Sequence, residues 1–256
     1  HAIRHRSAKI GAAFDAGKPF SAFSLPLLKS PYESWVQTFA ICIDPTEKEE
    51  ARAYFEKVSD YLQMELPRYP AVTPVLAVEN CGNIIKNPDE DIAMLKALGF
   101  RIVSLTHNPD NPLCGGIKGD GRGLSPLGKE VISALVLNGI TLDCSHCSDK
   151  AFWDICEATD ETFIATHSDS RTVCGETRNL TDEQAKEIFR RSGLVGLNFY
   201  EAFLGNGGSV RALLAHIEHF FALGGEKCLA IGSDYDGAQI AKELFDLKKV
   251  EKRIAK

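Results

Sequence analysis

Two short apolar runs, Ile140 to His146 and Phe163 to His167, each close on a histidine, the first through Asp143-Cys144-Ser145-His146 and the second through Ala165-Thr166-His167-Ser168. Continuously apolar runs of this length, separated by a helical pattern, read as parallel strands buried on both faces. A histidine at the close of such a strand emerges at its carboxyl end, where α/β barrels keep their chemistry. One histidine in that position is ordinarily a hydrogen-bonded structural residue. Two on consecutive strands point to a site.

The same unit recurs along the chain. Val36 to Ile43, Thr73 to Glu79, Arg101 to His107, Leu194 to Tyr200 and Cys228 to Ser233 read as further strands, the last leading into Asp234-Tyr235-Asp236-Gly237. Helical patterns alternate with them. Thr46 as N-cap with Glu49 three residues on predicts a helix to Gln63, and Asp89 to Leu98 is stopped by Gly99. Ser125-Pro126 starts a helix that Asn138-Gly139 ends. Ser148 to Ala158, Thr181 to Arg191 and Val210 to Leu223 are helical, as is the end of the chain, while Lys9 to Lys29 reads as a helix followed by a loop. The Gly- and Pro-rich connection from Asn108 to Leu124 is long for its place, which marks it as functional. Seven strands are one short of a closed barrel of eight. Ile3 to Arg6 stands where the first belongs, short and basic, so the expected fold is α/β, a (β/α)8 TIM-type barrel with a degraded first strand.

At 256 residues the chain suits one barrel domain over residues 1–256. A formal charge of -6 without a dense Lys/Arg cluster argues against nucleic acid, whose binding rests on neutralising phosphates. No run of about 20 apolar residues is present, so no membrane span is expected, and His1 to Arg6 lacks the apolar stretch of a signal peptide. A cytoplasmic protein follows, and the eight scattered cysteines read as reduced and buried. Cys144-Ser145-His146-Cys147 offers a C-x-x-C pair with no second pair nearby, which argues against a structural zinc site.

The strand ends offer Glu79, His107, His146, His167, Tyr200 and Asp234, each from a different strand. Imidazole nitrogens and a carboxylate oxygen are the donors zinc takes in catalytic sites that keep a position open for water. Zinc-bound water loses its proton near neutral pH and supplies a hydroxide nucleophile for a carbonyl, and a neighbouring carboxylate can carry the proton to the leaving group.

These residues also carry a resemblance. Leu105-Thr106-His107, Gly123-Leu124-Ser125-Pro126-Leu127-Gly128, Leu142-Asp143-Cys144-Ser145-His146, Thr166-His167-Ser168, Thr177-Arg178-Asn179-Leu180 and Ile231-Gly232-Ser233-Asp234-Tyr235-Asp236-Gly237 resemble, in order and spacing, the signature segments of the renal (membrane) dipeptidase family. The similarity covers roughly Val36 to Gly237. It implies a (β/α)8 barrel holding two zinc ions that hydrolyses dipeptides, tolerates a D-residue at the carboxyl-terminal side, and pairs as a homodimer. By position, Glu79 resembles the carboxylate that bridges the metals, and His146 and His167 the ligands of the second ion. His107 matches the histidine that stabilises the oxyanion and Asp234 the aspartate that handles the proton on the scissile nitrogen. Arg178 would clamp the substrate's terminal carboxylate, and Tyr200 would line the pocket. Asp236, His216 and His219 are expected to be structural or surface residues.

The chain departs from the family pattern at its start. The family's first strand ends in Asp-x-His-x-Asp, whose His and second Asp bind the first zinc, and His1-Ala2-Ile3-Arg4-His5 stands in its place. At codon level His-Cys-Asp-Thr, written CAT TGC GAT ACG, becomes His-Ala-Ile-Arg on loss of one T, so a shifted frame is one account of residues 1–4 that the nucleotide sequence tests. The family also continues past Gly237 with further helices, so truncated C-terminal helices are expected here. A second function follows from the same departure: a catalytically impaired barrel that binds a peptide or small acid without cleaving it. A third is a related hydrolase of a lactone or cyclic amide.

Overall fold

The computed structural model describes residues 2–3, 34–43, 50–235, 237–245, 250 and 252. The chain divides into two compact units, His1–Leu142 with His146–Thr159, and Asp143–Ser145 with Asp160–Lys256. It is an α/β fold with parallel sheets. The expected helix and loop over 9–29, the Thr46–Glu49 capping box and Asp236 lie outside the described residues.

The first unit is built on a sheet in the order β1 (Ala2–Ile3), β2 (Trp35–Cys42), β3 (Val72–Glu79), β4 (Phe100–Ser104) and β5 (Thr141–Asp143). Strands β1 to β4 pair in parallel, with Ala2 and Ile3 opposite Ala40 and Ile41. At the carboxyl end of β3, Leu76, Ala77, Val78 and Glu79 are buried in succession, as expected where both faces are covered. The helices are α1 (Ala51–Glu65), α2 (Pro88–Ala97), α3 (Pro126–Asn138) and α4 (Asp149–Ala158). Local chemistry sets their ends. Ser125 Oγ accepts from Gly128 N at 3.0 Å and Ser148 Oγ from Ala151 N at 3.0 Å, while Gly99 (φ 90°) and Gly139 (φ 64°) take the left-handed turn that ends α2 and α3. Phe55 of α1 meets Phe100 of β4 with ring centroids 5.3 Å apart, both side chains fully buried.

In the second unit β6 (Val195–Leu197) pairs in parallel with β7 (Leu229–Ile231). The strand expected over Phe163 to His167 is reduced to two bridging residues, Ile164 opposite Asp143 and Ala165 opposite Val195. The reason is chemical: Thr166 N donates at 2.9 Å to the Asp143 side chain, not to a backbone ladder. Helix α5 (Asp182–Arg190) opens on a full capping box made by Thr181 and Gln184, and α6 (Glu201–Leu204) and α7 (Val210–Ala222) follow. Two glycines let the bridging segment approach β6 and β7. A Cβ on Gly196 would lie 2.0 Å, and one on Gly232 2.1 Å, from the Thr166 carbonyl oxygen. The run at 228–233, expected to be buried on both faces, is not: Ile231 is 45% exposed, and β7 has no second strand partner among the described residues.

Candidate metal centre

Within the first unit, neighbouring strand ends bring Cys42, Glu79, His107 and His146 forward. Cys42 and Glu79 are in-register partners on β2 and β3, and Ile43 N donates to Glu79 O at 3.0 Å just beyond them. The next residue, Asn80, takes a left-handed backbone (φ 64°). Its amide donates to Ile43 O and accepts from Asn111 Nδ2 at 2.9 Å, which fixes the chain on the far side of Glu79. His146 is also left-handed (φ 69°), a conformation that costs a non-glycine residue about 1–2 kcal/mol. The loop from Asn108 to Leu124 holds it there: Ile117 N donates to His146 O at 2.8 Å, and Asn108 Oδ1 lies 3.0 Å from His146 Nδ1.

That last contact decides the chemistry. An amide oxygen at Nδ1 favours a proton there, and the tautomer protonated only at Nδ1 has Nε2 as its metal-binding nitrogen. Nε2 faces Glu79 Oε1 at 2.8 Å, and both side chains are only 6% exposed. Two acceptors at this separation require a proton or a cation between them. The arrangement suits a divalent metal, with Asn108 acting as the outer partner that orients the ligand ring. The His107 ring lies beside it, centroids 4.3 Å apart, and Cys42, Glu79 and His107 each offer a ligand atom within 4.8 Å of the other two.

The second unit prepares His167 in the same way. Asp143 accepts from Ser145 N at 3.0 Å, Thr166 N at 2.9 Å and Thr166 Oγ1 at 2.6 Å. The Thr166 hydroxyl, donating to Asp143, is left to accept from His167 Nδ1 at 2.8 Å. The relay favours the proton on Nδ1, the tautomer in which Nε2 is the ring nitrogen that can ligate a metal. Burial raises the Asp143 pKa, opposed by the bonds from Thr166 and Ser145.

Arg178 is buried, its Nη1 donating to Ser168 Oγ at 2.6 Å and its Nη2 to His167 O at 3.0 Å, with the guanidinium 5.9 Å over the Phe203 ring. Both acceptors are neutral, and its charge also acts on the buried Asp169 carboxyl, whose pKa it lowers against the larger effect of burial. Asp234 is left-handed (φ 55°), with Oδ2 3.4 Å from Asn198 Nδ2. Tyr200 donates its backbone N–H to Asn198 Oδ1 at 2.7 Å and packs edge-on against Phe203. His216 is structural, as expected: Nδ1 accepts from Ser170 N, Nε2 meets Leu204 O, and burial lowers its pKa. His219 meets Asp182 at 2.8 Å.

Asn108, Asn198, Asp169 and Cys42 were not legible as site residues. Asn198 is fully buried and joins Tyr200, Asp234 and Asp169, whose Oδ1 accepts Asn198 N at 3.1 Å and whose pKa burial raises well above the ordinary carboxylate range. Asparagine inside a short apolar run was the available signal at 198, and asparagine directly after a strand-end histidine the one at 108.

Strand-end histidines and carboxylates with their tautomers fixed by outer partners define a metallohydrolase type of site. The sequence profile of the membrane dipeptidase family (peptidase family M19) matches residues 49–256, and the chain belongs to that family. A Klebsiella pneumoniae protein encoded in the 5' region of pqqA is 32% identical over 186 residues, covering 68% of each chain. A Schizosaccharomyces pombe protein named as a dipeptidase is 34% identical over 183 residues, covering 66% of this chain and 44% of its own length. This chain thus spans less than half of the yeast relative. In fold it is similar to a metallo peptidase from Rhodobacter sphaeroides solved with a phosphinate mimic of the dipeptide L-Ala-D-Ala, with a TM-score of 0.75 at 23% identity, covering 99% of this chain and 78% of that one. Among the described residues no helix is long and apolar enough to cross a membrane.

Proposed function

We propose that this chain is a zinc-dependent dipeptidase that cleaves the amide bond of dipeptides, including those with a D-residue at the carboxyl-terminal position. The observation that carries the reading is the buried Glu79–His146 pair, a carboxylate and an imidazole 2.8 Å apart that become two ligands of one cation with side-chain shifts on the order of 1 Å. In this reading Glu79 and His146 hold metal, His167 is a further ligand, two ions serve each chain, and residues 1–256 form a single (β/α)8 barrel. The Rhodobacter protein's dipeptide mimic supports the substrate class. When bound, the metal polarises the scissile carbonyl and activates the attacking water.

The chain's own residues do the rest. Arg178 binds and orients the peptide's carboxylate through its planar fork, and Tyr200 lines the pocket. His107 donates an N–H to the carbonyl oxygen as charge develops there. Asp234, positioned by Asn198, carries a proton to the scissile nitrogen. Eight cysteines scattered along the chain suit a reducing cytoplasmic compartment, and a homodimer is the proposed assembly. The test is release of amino acids from a dipeptide panel that includes L-Ala-D-Ala, with zinc supplied. A folded, metal-loaded sample that turns over none of them refutes the reading.

A second reading, a barrel that binds peptides or small acids without cleaving them, is favoured by the sequence His1-Ala2-Ile3-Arg4-His5, which stands in place of Asp-x-His-x-Asp. About two zinc ions per chain supports the enzyme; one or none supports the binder.

A further inference from the structure

We infer that Cys42 is a metal ligand, giving this chain a thiolate–carboxylate–imidazole site made by Cys42, Glu79 and His107 for a borderline-soft divalent ion such as zinc or cobalt. The inference rests on the metal-dependent reading above and adds to it a donor on β2.

Position brings the three together. Cys42 and Glu79 are in-register neighbours at the carboxyl ends of adjacent parallel strands, so their side chains leave the same face of the sheet. His107 follows the next strand in the sheet order, β4. Their donor atoms lie within 4.8 Å of one another. Two ligands on one zinc at about 2.0–2.3 Å sit roughly 3.3–3.8 Å apart in a tetrahedron, so closure round an ion needs side-chain shifts on the order of 1 Å. Cys42 is 7% exposed and Glu79 4%. A cation between them would balance the charge of the buried carboxylate and favour the thiolate over the thiol.

Chemistry selects the ion. A thiolate discriminates against magnesium and calcium, which prefer all-oxygen shells, and suits zinc and cobalt. On binding, the Cys42 S–H bond breaks, its proton passes to solvent, and the sulfur lone pair enters the metal–sulfur bond, so no oxidant or reductant is needed. His107 closes the set through one ring nitrogen, so the other keeps the N–H used in the reaction, and the position left open is for water.

The experiment loads the metal-stripped full chain with cobalt(II) and records the near-ultraviolet thiolate-to-cobalt charge-transfer band and the visible cobalt bands, for wild type and Cys42→Ser. In parallel, alkylation of each cysteine is followed by mass spectrometry in the wild type with and without zinc. The expected result is a charge-transfer band that saturates with cobalt and is lost in Cys42→Ser while visible bands remain. Zinc should also slow alkylation of Cys42. Removing a directly bound sulfur should lower cobalt affinity by more than the roughly 10–100-fold typical of losing an outer partner. Visible bands without a charge-transfer band, or one that persists in Cys42→Ser, overturn the inference and leave the dipeptidase reading standing. Failure to bind cobalt at all overturns both. Should the variant not fold, the wild-type alkylation pattern decides: Cys42 modified at the same rate with and without zinc refutes the site.

Discussion

Replacing Thr166 with valine isolates what the Asp143 relay contributes, because the shape is kept and one hydroxyl is removed. That hydroxyl donates to Asp143 Oδ2 at 2.6 Å, accepts from His167 Nδ1 at 2.8 Å, and lies 3.4 Å from Ser145 Oγ. The first is a bond to a buried carboxylate, a class worth about 1.5–3 kcal/mol. Asp143 retains the backbone donors Ser145 N and Thr166 N, both on Oδ1, so the stability loss should fall near the lower end, about 2 kcal/mol. The second bond sets the tautomer of His167. Without it the ring can carry its proton on either nitrogen and rotate, and loss of such an outer partner weakens metal binding by about 10–100-fold, or roughly 1.4–2.8 kcal/mol. Zinc affinity by chelator competition and stability by urea unfolding separate the two effects. Thr166→Ser, which keeps the hydroxyl, should recover most of both. A Thr166→Val protein that binds zinc within about twofold of wild type would refute the relay as the device that prepares His167.

Asn108→Leu should weaken zinc binding by about 10–100-fold, read by the same competition, because His146 Nδ1 loses its acceptor. Bound zinc should raise unfolding stability by about 2.7 kcal/mol at a hundredfold excess over Kd, and adding a chelator should remove that increment. Glu187 predicts an acid-sensitive increment remote from the site: hydrogen bonds from Arg190, then Arg191, hold its carboxyl at about 2 against an ordinary 4.5, despite opposing burial. Because the folded value is depressed, the stabilisation is complete above 4.5 and is lost as pH falls towards 2. Urea unfolding should show wild type about 1 kcal/mol above Glu187→Gln at pH 6, with the difference vanishing near pH 2. Gly232→Ala should destabilise by about 1–3 kcal/mol or prevent folding, measured by thermal unfolding.

The strand that closes on Glu79 was readable because burial on both faces leaves a continuous apolar signal, while the one expected to reach His107 ends at Ser104. Also readable were the helix ends at Ser125, Gly139 and Ser148, where one residue decides the geometry. The Phe163 to His167 segment was over-read, since the Asp143 side chain takes the Thr166 N–H that an ideal strand would give to its neighbour, and a side chain replacing a backbone partner leaves no periodic trace. At β7 the apolar run suggested burial on both faces, but an apolar residue does not report whether anything covers it, and Ile231 is exposed. Within the candidate site, the residues whose type suits a metal were legible and those that orient them were not. Asn108 and Thr166 each reach their histidine through one hydrogen bond, and a buried cysteine such as Cys42 reads as core filler.

The Thr166 carbonyl oxygen fills the space where side chains at 196 and 232 would stand, its contact distances to a Cβ at either position being 2.0 and 2.1 Å. The residue that orients His167 is therefore wedged in place by two blanks, so this part of the protein is specified by atoms that are missing. A lineage can vary its loops to change what it accepts, but no single substitution at either glycine is open to it. Variation in chains of this kind should accordingly gather in the connections and halt at these two positions.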